Sequence, residues 1–404
     1  MKILHFADVH SRDKDIEEVV KCLNFIVETA EKEKVELIVI AGDIFHSQEL
    51  KLDSLSAKLA IKTVSRLADI APVAIVLGTA SHDGKAPEIL SFARGNYDVH
   101  VSSMPEQIFL YQGCFYDHMV GNCKPEAVIS LCPPPHKQFF QSASGIAQVD
   151  QEIGAAMSGL FAGWGAMAAQ YDAPHILVGH FSAFGAKLSS GQARTGMDIE
   201  ISRDQMMLAQ PLLIMLGHIH MPQQLGDRCF YSSSIYAENW GETHDHGFYI
   251  HEAVDDPLPG LDGYVVSSIF HETPCKKLVR LQADLRDRTT ADFMDDACDA
   301  DISHGVVRID FTAWQDEAAA INKAAIVETL TELGAVSVDI RITPVPRVTV
   351  RAASVLSAER LRDKIERRAE LVEEELDRAI GDLADQLEDM PINQLLEMVA
   401  GGRG

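Results

Sequence analysis

The apolar run Leu37–Ala41, within "VELIVIAGDIFH" at residues 35–46, constrains the fold most, because its ending recurs along the chain. An unbroken run of branched and aliphatic residues suits a strand buried on both faces of a parallel sheet. Gly42 then lets the backbone turn, and Asp43 and His46 follow at once. In open α/β sheets, ligands gather beyond the carboxyl ends of the strands. A carboxylate and an imidazole therefore stand where chemistry is usually done. Lys2–Ala7 ends in Asp8-Val9-His10, Val73–Leu77 in "GTASHDG", His175–Gly179 in His180, and Leu212–Leu216 in Gly217-His218-Ile219-His220. One Asp-x-His is noise. The recurrence is not explained by core packing, since idle polar groups at each strand end would face repeated desolvation costs.

Helical spacing separates the first runs. Asp15–Lys32 places Ile16, Val19, Val20, Leu23, Ile26, Val27 and Ala30 on one face, and Leu52–Ala68 is a second amphipathic helix. This βαβαβ opening predicts an α/β fold with its sheet covered by helices. Further strands are expected at Val99–Gln112, Ala127–Leu131, Cys229–Tyr231 and Phe248–His251, and a helix at Gln148–Gln170. The first domain spans residues 1–273. Residues 274–352 carry few histidines and read as a small α+β domain, with strands at Val306–Phe311 and Val336–Ile342. Residues 353–404 read as a helical segment. Leu356–Met390 is expected as one long charged helix whose apolar residues, from Leu361 to Met390, fall near a heptad seam. Pro391 ends it, and Asn393–Val399 is expected as a last short helix.

The net charge of −25 argues against a protein that coats nucleic acid through a broad basic face. It leaves room for an enzyme whose metal ions meet a phosphate, because bound cations reverse the local sign. Seven scattered cysteines without a C-x-x-C pattern fit reduced thiols. No apolar run approaches membrane-spanning length, and "MKILHFADVH" lacks a signal-peptide pattern, so a cytoplasmic location is expected.

Carboxylate and neutral imidazole together suit Mn²⁺, Fe²⁺ or Zn²⁺, and the absence of thiolate disfavours a structural zinc site. Residues i and i+2 of an extended strand end point the same way, so Asp8 with His10, and His218 with His220, can each converge on one site. A carboxylate can bridge two ions, and such a pair clamps the attacking and leaving oxygens of a phosphoryl displacement.

The ordered series Asp8-x-His10, Gly42-Asp43-x-x-His46, Ser81-His82-Asp83, Gly179-His180 and Gly217-His218-x-His220 resembles the calcineurin-like metallophosphoesterases. Their pattern is D-x-H, G-D-x-x-[HD], G-N-H-[DE], G-H, G-H-x-H. "GDIFHS", "YSSSIYAENWGE" before "GFYIHE", a following α+β domain and a C-terminal helical segment resemble the SbcD/Mre-type DNA-repair nucleases more than the phosphatases. The resemblance implies a four-layer α/β/β/α sandwich followed by a small capping domain. It implies two divalent ions, with Mn²⁺ preferred and Mg²⁺, Fe²⁺ and Zn²⁺ as alternatives. One ion would be held by Asp8, His10, Asp43 and His220, the other by Asp43, His180, His218 and Ser81. His82 would be the catalytic histidine, Asp83 would orient it, and His46 would lie near the scissile phosphate. Ser81 departs from the family's Asn, which puts the second ion's affinity in question. The implied activity is that of a DNA exo- or endonuclease subunit in a repair complex. Its implied partners are DNA, an SMC-like ATPase of the SbcC type on the C-terminal helices, and a second copy in a homodimer. Two rival readings remain open: a phosphatase or small-molecule phosphodiesterase of the same superfamily, and a non-catalytic scaffold that binds the ATPase.

Overall fold

A computed structural model describes residues 1–119, 123–135, 146–189, 199–255, 263–347, 353–391 and 394. The opening segment runs β1 (Lys2–Phe6), α1 (Ile16–Glu33), β2 (Leu37–Ala41), α2 (Leu55–Ala68), β3 (Val73–Val76) and β4 (Val99–Ser102). These four strands pair in parallel in the order β1-β2-β3-β4. The expected helical face of α1 is realised, with Val19, Leu23, Ile26, Val27 and Ala30 buried. The helix stops at Lys34, whose left-handed φ of 55° turns its N–H back onto the carbonyls of Ala30 and Glu31. Ser54 opens α2 by accepting a hydrogen bond from the Ala57 N–H at 3.1 Å.

The next elements are β5 (Glu106–Tyr111), β6 (Cys114–Tyr116), β7 (Ala127–Cys132), α3 (Ile146–Ala168), β8 (His175–His180), β9 (Ser182–Ala183), β10 (Glu200–Ile201), α4 (Arg203–Met207), β11 (Leu213–Gly217), β12 (Gln223–Leu225), β13 (Cys229–Tyr231), β14 (Gly247–Asp255) and β15 (Tyr264–Glu272). The single strand expected over Val99–Gln112 is two, β4 and β5, and they belong to different sheets. One sheet has the order β15-β14-β1-β2-β3-β4, the other β12-β13-β11-β8-β7-β5-β6.

Alternation along each strand assigns the layers. Leu4, Phe6, Ile38, Ile40, Val73 and Ile75 pack with α1 and α2 residues such as Leu23, Ile26 and Val64. Their neighbours Ile3, Leu37, Val39, Ala74 and Val76 pack against Ile129, Ile176, Val178 and Met215 of the second sheet. The outer face of that sheet buries Leu177, Ile214 and Leu216 under Ile153, Phe161 and Met206 from α3 and α4. The result is the expected α/β/β/α sandwich. It explains why the central strands read as continuous apolar runs: both faces are covered.

Beyond it, β16 (Lys277–Asp284), β17 (Gly305–Trp314) and β18 (Ser337–Val345) form a separate sheet in the order β16-β17-β18, with α5 (Thr290–Cys298) and α6 (Lys323–Glu332) between the strands. Val307, Ile309, Phe311 and Ala313 of β17 are buried and their neighbours only partly so, as a sheet with one covered face requires. The chain groups into two compact units, one built of Met1–Ala283, Arg288–Phe311 and Asn322–Arg341, the other of Asp284–Asp287, Thr312–Ile321 and the chain from Ile342.

The single helix expected over Leu356–Met390 is three: α7 (Ala353–Leu356), α8 (Leu361–Val372) and α9 (Arg378–Glu388). Glu373 closes α8 in the left-handed region at φ 56°, and Asp377 opens α9 by accepting from the Ala379 N–H. The break falls in the acidic run Glu373-Glu374-Glu375, where Glu370 and Glu374 would repel each other one helical turn apart. Arg362, at the start of α8, bonds Asp385, late in α9, at 2.6 Å, so the two helices fold back as an antiparallel pair. A continuous heptad seam is therefore absent from residues 353–391. Most of the helix expected at Asn393–Val399 lies outside the described residues.

Candidate metal centre

Asp8 and His10 leave the end of β1, Asp43 that of β2, His180 that of β8, and His218 and His220 that of β11. The structure gathers all six at one place. Donor atoms of Asp8, His10 and His220 lie within 4.8 Å of one another, and so do those of Asp43, His180 and His218. Asp43 stands between the groups: its Oδ2 is 3.2 Å from His180 Nε2 and 3.9 Å from His10 Nε2.

The backbone is bent to achieve this. Asp8 (φ 51°), His10 (φ 42°), Asp43 (φ 50°) and His218 (φ 90°) all sit in the left-handed region, a cost of about 1–3 kcal/mol each that folded proteins keep where function requires it. Main-chain bonds hold the bends, with Asp8 N–H donating to Gly42 O and His10 N–H to Asp43 O, both at 3.0 Å. Gly42 is required here. A Cβ on it would stand 2.4 Å from His180 Nδ1, and its φ is 88°.

Two of the imidazoles are aimed by their other nitrogen. His180 Nδ1–H donates to Ala41 O at 2.6 Å, and His220 Nδ1–H donates to Glu242 Oε1 at 2.8 Å. Both rings thereby present Nε2 to the centre. His10 Nε2 and His220 Nε2 are 3.0 Å apart, a separation two lone pairs tolerate only with a proton or cation between them. His180 Nε2 is buried without an aligned hydrogen-bond partner, although Asp43 Oδ2 is close. Burial raises the Asp8 carboxyl above its usual range, against the pull of His180 and His220. Burial would also raise Asp43, but His180, His10 and His82 outweigh it and hold the carboxyl low. Burial opposes charge on His220, yet Glu242 and Asp8 push it up to about 9. Converging oxygen and nitrogen donors, orphaned lone pairs and a demand for positive charge fit two divalent ions.

The catalytic candidates lie beside this centre. His82 is edge-on to His10, ring centroids 4.5 Å apart, and its Nδ1–H donates to the His46 carbonyl at 2.8 Å. Its Nε2 is then the nitrogen available to a substrate. Asp83 does not bond the His82 ring, which corrects its expected role. Its buried carboxylate accepts from the N–H groups of Phe45 at 2.9 Å and Gly78 at 2.8 Å, tying the turn that bears Asp43 to the turn that bears His82. The carbonyl of His46 does the orienting instead. Ser81 is exposed, with its Oγ 3.3 Å from Thr79 Oγ1. It is Thr79, directly after Gly78, whose N–H reaches Asp43 Oδ1 at 2.6 Å and whose hydroxyl reaches it at 3.0 Å.

Thr79, Glu238 and Glu242 are missing from the residues named by sequence. Glu242 ends the "YSSSIYAENWGE" stretch and is fully buried. It also accepts from Asn239 Nδ2 and Glu238 N–H, both at 2.8 Å. Glu238 accepts from His46 Nδ1 at 3.2 Å and lies 3.9 Å from His10 Nδ1. Burial opposes its charge, but His46, His10 and His220 hold its carboxyl down at about 2. Thr79 carried one signal: it immediately follows the strand-end glycine, as Asp43 follows Gly42.

A family model described as calcineurin-like phosphoesterase matches residues 1–222. The chain is 35% identical over 88 residues to the DNA double-strand break repair protein Mre11 of Aeropyrum pernix, a span of 20% of this chain and 21% of that protein. The match therefore covers about a fifth of the relative's length. Among solved structures, the chain is similar to GAP50, the anchor in the inner membrane complex of Plasmodium, at a TM-score of 0.40 and 15% identity, over 69% of this chain and 89% of that one. Among the described residues, no helix is long and apolar enough to cross a membrane.

Proposed function

The chain belongs to the calcineurin-like phosphoesterase family, a hydrolase of phosphoester bonds, and on that premise we propose that it is a DNA phosphodiesterase. The observation that carries the hydrolytic reading is the convergence of Asp8, His10 and His220 beside Asp43, His180 and His218. Asp8, His10, Asp43 and His220 would hold one divalent ion, and Asp43, His180 and His218 the second. Thr79, through its bonds to Asp43, and Ser81, through Thr79, border that second position. Mn²⁺ is the ion that the family resemblance favours, and the mixed carboxylate and imidazole donors suit it alongside Fe²⁺ and Zn²⁺. When bound, two such ions supply Lewis-acid polarisation of the phosphoester and activation of water.

The chain's own part is positional. His82, fixed through Nδ1 by the His46 carbonyl, offers Nε2 to pass a proton to the departing oxygen. Asp83 keeps the turn bearing His82 fastened to the turn bearing Asp43.

DNA as substrate is supported by the Mre11 similarity and by a sheet-and-helix region after the sandwich, more apparatus than a small substrate needs. Residues 274–352 would cap the site and admit the duplex. Residues 353–404, with the antiparallel helix pair, would bind an SMC-like ATPase in an SbcCD-like complex, and the nuclease would work as a homodimer. With a net charge of −25, the isolated chain should hold duplex DNA weakly.

The test is nuclease activity on end-labelled linear and hairpin DNA with Mn²⁺ or Mg²⁺. His82→Ala should lower kcat by roughly 10²–10⁴-fold with metal content unchanged, and Asp43→Asn should abolish activity together with metal binding. Activity on phosphomonoesters or cyclic nucleotides but not on DNA would move the assignment to a phosphatase or small-molecule phosphodiesterase. Full metal loading with no phosphoester hydrolysed would favour a scaffold.

A further inference from the structure

Arg12 follows His10 by two residues, on the segment that leaves the end of β1. Its Nη1 lies 3.2 Å from His46 Nε2 and 3.5 Å from His46 Nδ1, so the guanidinium is held against that ring. Glu238 meets the same imidazole at Nδ1, 3.2 Å away, and is 4.0 Å from Arg12 Nη1. Asp15 pairs with Arg12 Nε. Nη2 has no hydrogen-bond partner among the described residues, and the side chain is 27% exposed. His46 in turn lies 5.7 Å, ring to ring, from His82. A cation is thus fixed one imidazole away from the candidate proton donor.

Anchoring the turn does not require this cation. Ser11 N–H donates to Ile44 O at 2.9 Å and His46 N–H to Ser11 O at 3.2 Å, which stitches the turn to its neighbour. Asp13 accepts from the Ser56 N–H and hydroxyl at 2.9 and 2.8 Å, tying the following segment to α2. The carboxylates around the centre, Asp8, Asp43, Asp83, Glu238 and Glu242, would repel an incoming phosphate. A planar guanidinium with donors left over is the group suited to phosphate oxygens.

We propose that Arg12 grips a non-bridging oxygen of the substrate phosphate, and that His46 acts as its positioning residue. The inference rests on the phosphoester reading of the site but not on DNA as the substrate. It assigns His46 a role through Arg12, with Glu238 fixing the ring and Arg12 resting on it until a phosphate arrives.

The experiment uses the full-length, Mn²⁺-loaded protein, with inorganic phosphate as the probe. Phosphate binding is measured by calorimetry, and also as inhibition of bis(p-nitrophenyl) phosphate hydrolysis. Arg12→Ala should weaken phosphate roughly 10- to 100-fold, the range expected for losing a hydrogen bond to a charged group. The loss should fall on KM more than on kcat, with metal content and Tm held. Arg12→Lys should recover part of the affinity, since it restores the charge without the fork. His46→Ala should weaken phosphate as well, and the double variant should bind no worse than Arg12→Ala, because both act through one contact. Phosphate affinity within twofold of the parent in Arg12→Ala would overturn the proposal, as would a parent that binds no phosphate. A parent that binds phosphate through Arg12 yet hydrolyses no phosphoester would sink the proposed activity and leave this inference standing.

Discussion

His220 and Glu242 form a buried pair in which the imidazole Nδ1–H donates to the carboxylate at 2.8 Å, twenty-two residues along the chain. The carboxylate is itself fixed by the Asn239 amide and the Glu238 N–H, so it cannot swing away from the ring. Such outer partners set both the tautomer and the aim of a histidine ligand. Glu242→Gln should therefore weaken the ion beside Asp8, His10 and His220 by roughly 10- to 100-fold, with Glu242→Ala worse. Metal titration followed by calorimetry reads this directly. An unchanged affinity in both variants would show that Glu242 merely fills space.

Gly42 is a sharper test of the architecture. Its φ of 88° and the 2.4 Å between a built Cβ and His180 Nδ1 leave no room for alanine. Gly42→Ala should cost on the order of 2–4 kcal/mol of stability, combining left-handed strain with displacement of a buried ring. It should also weaken the ion beside His180. Urea denaturation measures the first effect, and a cost below about 0.5 kcal/mol would mean that the turn yields more freely than its geometry indicates.

His175 offers a prediction about acid. Burial lowers its pKa to about 4, and both ring nitrogens are satisfied, by Ser130 Oγ at 2.8 Å and Ala209 O at 2.9 Å. The unfolded chain takes up the proton near pH 6.5 while the folded chain refuses it until about 4. The neutral ring's contribution is therefore complete above pH 6.5 and is lost as the pH falls from there towards 4. At pH 5 the loss is about 2 kcal/mol. Unfolding free energies of the metal-free protein at pH 8 and pH 5 should converge by that amount in His175→Gln relative to the parent. Equal pH dependence in the two proteins would contradict a buried neutral ring. His5 is another such group, lowered to about 3 by burial between the sheets and stacked on His251 at 5.6 Å.

Much of this molecule is legible in its residues alone. Runs such as Leu37–Ala41 declare strands covered on both faces, and α1 declares its buried stripe through a 3.6-residue period. The strand-end residues Asp8, His10, Asp43, His180, His218 and His220 announce a common destination by recurring. These are local signals, written in residue type and spacing, and they survive because sheet ends must face one way in a parallel fold.

Tertiary structure decided which atoms meet. Strand register and sheet packing brought Glu242 to His220, Glu238 and Arg12 to His46, and the Ala41 carbonyl to His180. None of those pairings has a period or spacing to reveal it. The same packing set Thr79 rather than Ser81 against Asp43, and directed the Asp83 carboxylate to two main-chain N–H groups instead of to His82. The C-terminal region shows the converse. A helical pattern from Leu356 to Met390 is continuous in hydrophobic spacing, yet an acidic run weakens its middle and the Arg362–Asp385 pair rewards folding back. Spacing alone does not weigh those two effects. Hydrophobic periodicity thus wrote the layers and their polar strand ends into the residues, because it dictates burial. Only the folded chain decided how those strand-end side chains are aimed, because that depends on contacts between residues far apart in sequence.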